Sequence, residues 1–355
     1  MYLQSIANAI VQTGKGILAA DESSKTCEQR FAQVGIEFSE ESRRKYREMI
    51  FMTKDLEKYI SGIILFEETI RQKTTGGKFF TELLLEKNIL PGIKVDEGTT
   101  SLSGSFVEKH TKVLDGLSSR LSEYVEMGAK FAKWRAVFSI DEDAGFPTDI
   151  CISTNASELA EYSILCQESK LVPIVEPEIL IDGGHTIEQC EEATTRVLQS
   201  VFNKLKEHQV DLKKIILKPS MVINGKDSAE NHSAEKIADA TVRVLKKCVP
   251  SQVAGIAFLS GGQTDTQATA NLDAMNKKYK NLPWRLTFSY GRALQQSALA
   301  SYAKDTKNNI QKAQSLLLHR AKMNGDASVG KYAQEMDVDT SQDEKLRKIK
   351  GINSI

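Results

Sequence analysis

Cysteine is scarce in this chain, at five among 355 residues. Cys27, Cys151, Cys166, Cys190 and Cys248 are odd in number, widely spread and free of any C-x-x-C pair. That argues against a disulfide framework and a zinc ribbon, and leaves reduced core or surface thiols as the reading. An excess of one charge is also lacking. Lys plus Arg number 47 and Asp plus Glu number 47, so there is no bulk positive field to hold a nucleic-acid backbone or an anionic membrane. Affinity for anions must come from local patches. Long hydrophobic runs are missing too: a stretch such as 63–66 is far too short to span a bilayer. The N-terminus has neither the basic start nor the continuous apolar segment of a secretion signal. A soluble cytoplasmic protein with no nucleic-acid or membrane partner is expected. No Pro/Gly/Ser-rich linker divides the chain.

What is present is a core-forming composition, 41% hydrophobic and 26% charged, too apolar for a disordered chain. Short apolar runs of strand character lie at 16–20, 61–66, 92–95, 131–138, 171–175, 214–217, 255–259 and 285–288. Their starts are roughly 30 to 45 residues apart, room for a strand, a loop and a crossover helix. The spacers have helical signals. Ser39 can cap a helix whose first turn holds Glu40 and Glu41, with Tyr46, Met49 and Ile50 on one face. Ile187, Cys190, Val197, Val201 and Leu205 fall on one stripe, and Thr306 is expected to start a helix containing Ile310, Ala313, Leu317 and Ala321. Eight alternations predict a closed (β/α)8 TIM barrel in a single domain over residues 1–336. An open doubly wound sheet is compatible with the same pattern. From Asp337 to Ile355 the composition turns polar and charged, which predicts a C-terminal tail outside the core.

Several strands carry charges two residues apart, which places both on one face. Lys94 and Asp96 are one pair, Lys133 and Arg135 another, and Glu176 and Glu178 a third, while Lys218 directly follows the apolar run Ile215, Ile216, Leu217. Both faces of a parallel barrel strand are normally covered, so such groups are costly unless they converge on a shared polar site and pair there. The C-terminal mouth is where barrel enzymes place their chemistry. Two Gly-rich segments point to the same end: Ser260, Gly261 and Gly262 follow the seventh run, and Ser289, Tyr290, Gly291 and Arg292 follow the eighth. Loops in those positions bind phosphate through bare backbone amides, with an arginine fork on the oxygens. A phosphorylated ligand is therefore expected.

At these residues the sequence resembles the class I fructose-bisphosphate aldolases. The blocks GKGILAADES at 14–23, GIKVD at 92–96, FAKWR at 131–135, VPIVEPE at 172–178, LKP at 217–219, FLSGGQ at 258–263 and LTFSYGRAL at 286–294 run in the family's order. The resemblance implies reversible cleavage of fructose 1,6-bisphosphate into dihydroxyacetone phosphate and glyceraldehyde 3-phosphate, in glycolysis and gluconeogenesis. It implies that Lys218 forms a Schiff base with the substrate ketone, that Glu176 acts as acid and base with Glu178 beside it, that Lys133 is a second active-site lysine, and that Asp21 handles the proton of the carbon 4 hydroxyl. Ser260, Gly261, Gly262, Ser289, Gly291 and Arg292 match the pocket for the phosphate on carbon 1. Ser23, Arg30 and Lys94 match groups near the other phosphate. Arg135 joins them as a substrate-binding candidate from the charged strand face. No metal or cofactor is implied, and homotetramers are the family's usual assembly.

Physical chemistry supports the same roles. A free lysine, with a pKa near about 10.4, is almost entirely protonated and unreactive at neutral pH, so a nucleophilic Lys218 calls for nearby positive charge, for which Lys133 and Arg135 are the expected sources. The histidines His110, His185, His208, His232 and His319 are scattered without ligand spacing, which disfavours a zinc-dependent mechanism. Animal and plant members of the family end in a tyrosine that assists proton exchange, whereas this sequence closes on Gly351, Ile352, Asn353, Ser354 and Ile355, and Tyr332 lies too far upstream to take that place. Two alternatives stay open: a Schiff-base lyase for another phosphosugar, and a non-catalytic barrel that binds without turnover.

Overall fold

The structure, a computed structural model, describes residues 1–111 and 114–337. Each of the eight apolar runs forms a strand: β1 Gly16–Ala20, β2 Ile60–Leu65, β3 Leu90–Lys94, β4 Phe131–Phe138, β5 Val172–Ile179, β6 Ile216–Leu217, β7 Gly255–Phe258 and β8 Leu286–Tyr290. Successive strands pair in parallel, and β8 returns to β1 with Tyr290 opposite Leu18, so the sheet closes. Closure selects the barrel over the open doubly wound sheet.

The interior is a compact apolar layer. Ile17 and Ala19 of β1, Ile64 of β2, Phe131 of β4, Val172 and Ile174 of β5, Ile216 of β6 and Ala257 of β7 meet inside it. A helix absent from the sequence reading, Tyr2–Ile10, brings Leu3, Ile6, Ala7 and Ile10 to the same cluster. Those positions follow the i, i+3, i+4, i+7 stripe of one helix face. Phe131 is the largest side chain of the layer, and it fits because β3 places a glycine next to it: a Cβ on Gly92 would overlap the phenyl ring.

Ser39 caps the helix Glu40–Phe51, its hydroxyl accepting the Ser42 N–H at 3.1 Å. Thr186 and Gln189 form a reciprocal capping box for Ile187–Glu207. Two expectations change. The helix expected from Thr306 begins at Ile310, because the Asp305 carboxylate accepts the backbone N–H groups of Lys307 and Asn308 at 2.9 and 3.0 Å and holds that stretch as a turn. Strand β5 extends beyond its apolar run through Glu176, Pro177 and Glu178 to Ile179, as the same-face reading of the two glutamates requires, and both carboxylates meet cations of neighbouring strands. Asp337, assigned to the polar tail, is buried: it accepts from Arg320 Nη1 at 2.6 Å and from the Tyr332 hydroxyl at 2.8 Å, and lies 3.0 Å from His319 Nε2. The remainder of the tail, 338–355, lies outside the described residues.

Candidate active site

Strand alternation builds the site. Inward positions read Phe131, Lys133, Arg135 on β4, Val172, Ile174, Glu176, Glu178 on β5, and Ile216 then Lys218 at the end of β6. The apolar members belong to the plugged interior, and the charged ones sit one step nearer the C-terminal ends. The transition from core to chemistry therefore takes two residues on each strand.

The charges interlock. Lys218 Nζ is 2.8 Å from Glu176 Oε1, and the other oxygen of that carboxylate is 3.3 Å from Lys133 Nζ. Lys133 also reaches Asp21 at 2.9 Å and Asp96 at 3.7 Å, while Lys94 pairs with Asp96 at 2.6 Å. Arg135 is ion-paired with Glu178. Lys133, Glu176 and Lys218 are all buried, a placement that only mutual pairing makes tolerable. Burial opposes the charged form of Asp21, yet the ammonium of Lys133, helped by Lys218 and Lys94, outweighs it and holds the carboxyl at about 2. Burial likewise works against the Lys133 cation, and Asp21, Glu176 and Asp96 overcome it, so its pKa is raised. Lys133 is a fixed positive charge at any working pH. Lys133 and Arg135, expected as the nearby positive charges, are each matched by carboxylates, and the group in contact with Lys218 is Glu176.

A cleft of about 690 Å³ opens above this network, lined by Asp21, Ser23, Lys94, Lys133, Arg135, Glu176, Glu178, Lys218, Ser260, Gly261, Gly262, Ser289, Gly291 and Arg292. Arg30 alone among the candidates is outside that lining. It lies in an adjoining chamber of about 210 Å³ whose walls include Asp21, Gly291 and Arg292, and it is ion-paired with Glu22. Gly261 and Gly262 adopt φ of +49° and +82°, and a Cβ on either would come within 2.9 Å of Leu259 or 2.8 Å of Ile181. Only glycine holds that loop open. The Ser289 hydroxyl is buried with no hydrogen-bond partner among the described residues. Gly291 caps the helix Arg292–Lys304, whose N-terminal end carries the positive pole of the helix dipole. Ser23 caps Ser24–Val34, its Oγ accepting the Thr26 N–H at 3.4 Å.

The structure adds residues that the sequence reading had not placed in the site. Asp96 was legible as the same-face partner of Lys94, but its approach to Lys133 depends on the β3–β4 register, in which Lys94 stands opposite Lys133. Glu22 lies within the segment 14–23, where nothing in the sequence marks a role for it. Arg120 and Tyr124, one turn apart on Leu117–Glu126, also line the cleft. Arg120 donates to the Val95 carbonyl at 3.0 Å, a contact with no local sequence signal.

A closed parallel barrel with a buried lysine–carboxylate network at its C-terminal mouth and glycine-rich loops after β7 and β8 defines a (β/α)8 enzyme for a phosphorylated substrate. The sequence model of the class-I fructose-bisphosphate aldolase family matches residues 2–350. A probable fructose-bisphosphate aldolase class 1 of Xanthomonas axonopodis pv. citri (strain 306) is 53% identical over 330 residues, 93% of this chain and 98% of the relative. A fructose-bisphosphate aldolase of Dictyostelium discoideum is 49% identical over 334 residues, 94% and 93% of the two chains. Among solved structures, a ternary co-crystal structure of fructose-bisphosphate aldolase from Plasmodium falciparum in complex with TRAP and a small molecule inhibitor superposes with a TM-score of 0.92 at 47% identity, covering 94% of this chain and 95% of that one. The chain belongs to the class I fructose-bisphosphate aldolase family. It is accordingly a carbon–carbon lyase acting on a phosphorylated sugar, fructose 1,6-bisphosphate.

Proposed function

We propose that Lys218 is the covalent residue of this aldolase, and that the network around it divides the proton transfers. The observation that supports this most directly is the buried Lys218 Nζ, 2.8 Å from Glu176 Oε1 at the barrel's mouth. The neutral amine attacks the ketone carbon of fructose 1,6-bisphosphate, and the resulting carbinolamine loses its hydroxyl as water, with Glu176 moving the protons. The iminium then draws in the electron pair of the carbon 3–carbon 4 bond as that bond breaks. The carbon 4 hydroxyl turns into an aldehyde, its proton becomes strongly acidic as it does so, and Asp21 accepts it. Such timing suits a carboxylate held at about 2, which would be too weak a base for an ordinary alcohol. Protonation of the enamine and hydrolysis release dihydroxyacetone phosphate. Lys133 contributes a permanent cation that keeps Glu176 and Asp21 oriented. Arg135 holds Glu178 in place through their ion pair.

Ser260, Gly261, Gly262, Ser289, Gly291 and Arg292 hold the phosphate on carbon 1, with the buried Ser289 hydroxyl, which has no partner among the described residues, as one donor. Ser23, Arg30 and Lys94 serve the phosphate on carbon 6. Binding of both ends places carbon 2 at Lys218. The protein works in the cytoplasm as a homotetramer, with a single catalytic domain whose folded body includes Asp337. Borohydride added with dihydroxyacetone phosphate should inactivate the enzyme and leave a reduced adduct on Lys218 by peptide mass spectrometry, with cleavage activity insensitive to a chelator. An adduct on another lysine overturns the assignment.

A further inference from the structure

Behind the two phosphate-binding ends lies a buried hydrogen-bonded strut that the reaction itself does not use. Gln295, on Arg292–Lys304, has no solvent exposure at all, an uncommon place for a glutamine. Its amide is fully engaged. Nε2 donates to the Ala19 carbonyl at 2.7 Å and to Glu22 Oε1 at 3.0 Å, and Oε1 accepts the Tyr46 hydroxyl at 3.1 Å. Its backbone N–H bonds the Gly291 carbonyl at 3.1 Å. One residue thus joins the end of β1, two positions before Asp21, to the Glu22 carboxylate and to the turn carrying Gly291 and Arg292.

Glu22 is the point at which this strut reaches the adjoining chamber. Its Oε1 also receives Arg30 Nη1, and its Oε2 receives Arg47 Nη2 at 2.6 Å. Burial raises the Glu22 pKa, but Arg47 and then Arg30 pull it down further, so the group is a carboxylate. Arg30 keeps Nε and Nη2 buried and without a partner among the described residues, beside a chamber that Arg292 also lines. The direction of those spare donors is set by where Glu22 holds the guanidinium. Where Glu22 sits is set by Gln295 on one oxygen and Arg47 on the other.

We propose that Gln295 is a positioning residue for substrate discrimination: by fixing Glu22 it aims Arg30 at the phosphate on carbon 6, and so favours bisphosphates over monophosphates. The proposal rests on the reading of Arg30 given above. Without the amide, Oε1 keeps Arg30 but loses its anchor to the barrel, and the ion pair shifts as a unit. A substrate with no phosphate on carbon 6 does not call on Arg30 and is indifferent to that shift.

The test is Gln295→Leu in the full chain, which preserves side-chain bulk and removes the amide. For fructose 1,6-bisphosphate, kcat/KM should fall about five- to twentyfold, carried by KM. For fructose 1-phosphate it should stay within about twofold. Borohydride trapping of dihydroxyacetone phosphate on Lys218 should be undiminished. Equal losses on both substrates would mark a purely structural role and overturn the proposal, as would no change in either. Tyr46→Phe, which deletes only the hydroxyl bonded to Gln295, should move the ratio of the two kcat/KM values in the same direction by about two- to threefold. If Gln295→Leu does not fold, this variant decides, and an unchanged ratio overturns the proposal. Absence of trapping in the unaltered protein would refute the Lys218 assignment instead, and the substrate ratio would still decide the role of Gln295.

Discussion

At Asp21 two large effects oppose each other, and the sign of their difference can be measured. Burial favours the neutral acid, while Lys133 at 2.9 Å favours the anion and prevails, holding the pKa at about 2. A carboxylate with a depressed folded-state pKa stabilises the protein above its unfolded value of about 3.9, and that contribution is lost as the pH falls through the folded value. A shift of this size corresponds to about 2–3 kcal/mol at neutral pH. Asp21→Asn, which cannot titrate, should be less stable than the unaltered protein by about 2 kcal/mol at pH 7, and the gap should shrink to about half by pH 3. Urea unfolding of both proteins across that range checks it, and a gap that stays constant to pH 3 would show that the anion is not its source. At this scale much of the site was legible. A charge two positions beyond an apolar residue on a barrel strand signals the rim, which is how Lys133, Glu176 and Lys218 stand out. Glu22, Arg47 and Gln295 carry no such signal, because they come from three segments that only the closed barrel brings together.

The same distinction holds for whole elements. Apolar runs marked all eight barrel strands because parallel strands are covered on both faces and must be apolar nearly throughout. The hairpin Thr99–Ser101 with Lys109–Thr111 escaped notice because it is partly exposed and polar, and its strands of three residues each have no alternation to read. Strand β3 shows how tightly one element specifies another. Gly92 lies opposite Phe131 in the β3–β4 register, and the ring fills the space that a β-carbon would take. Gly92→Ala should therefore destabilise the barrel by about 1–3 kcal/mol through overpacking. Adding Phe131→Leu should recover part of that loss, so that the double variant is more stable than the sum of the single changes implies. Thermal or urea unfolding of the four proteins would check this. Strict additivity would mean that the two positions do not compete for the same volume.

For the molecule as a whole, the question is where the folded body ends. Composition alone places the boundary before Asp337, since a run of polar residues looks alike whether or not its first member is buried. The structure supplies what composition cannot: Arg320 is fully buried, and Asp337 answers its charge at 2.6 Å with Tyr332 and His319 as further partners. Burial raises the Asp337 pKa, but His319, Arg320 and Tyr332 together lower it to about 2, so the pair stays charged at neutral pH. Two truncations should consequently differ sharply. If 338–355 contribute nothing to the core, removing them should leave stability within about 0.5 kcal/mol. Removing 337–355 strips a buried cation of its carboxylate and should cost about 3–5 kcal/mol. Turnover separates structure from catalysis. General acid or base help is worth about 10² to 10⁴ in rate, so if 338–355 supply none, the shorter deletion changes cleavage of fructose 1,6-bisphosphate by less than about tenfold, and enamine protonation falls to a barrel residue, with Glu176 the nearest candidate. A larger loss of turnover, with Lys218 still trapped by borohydride and stability unchanged, would place a proton-transferring group beyond Asp337.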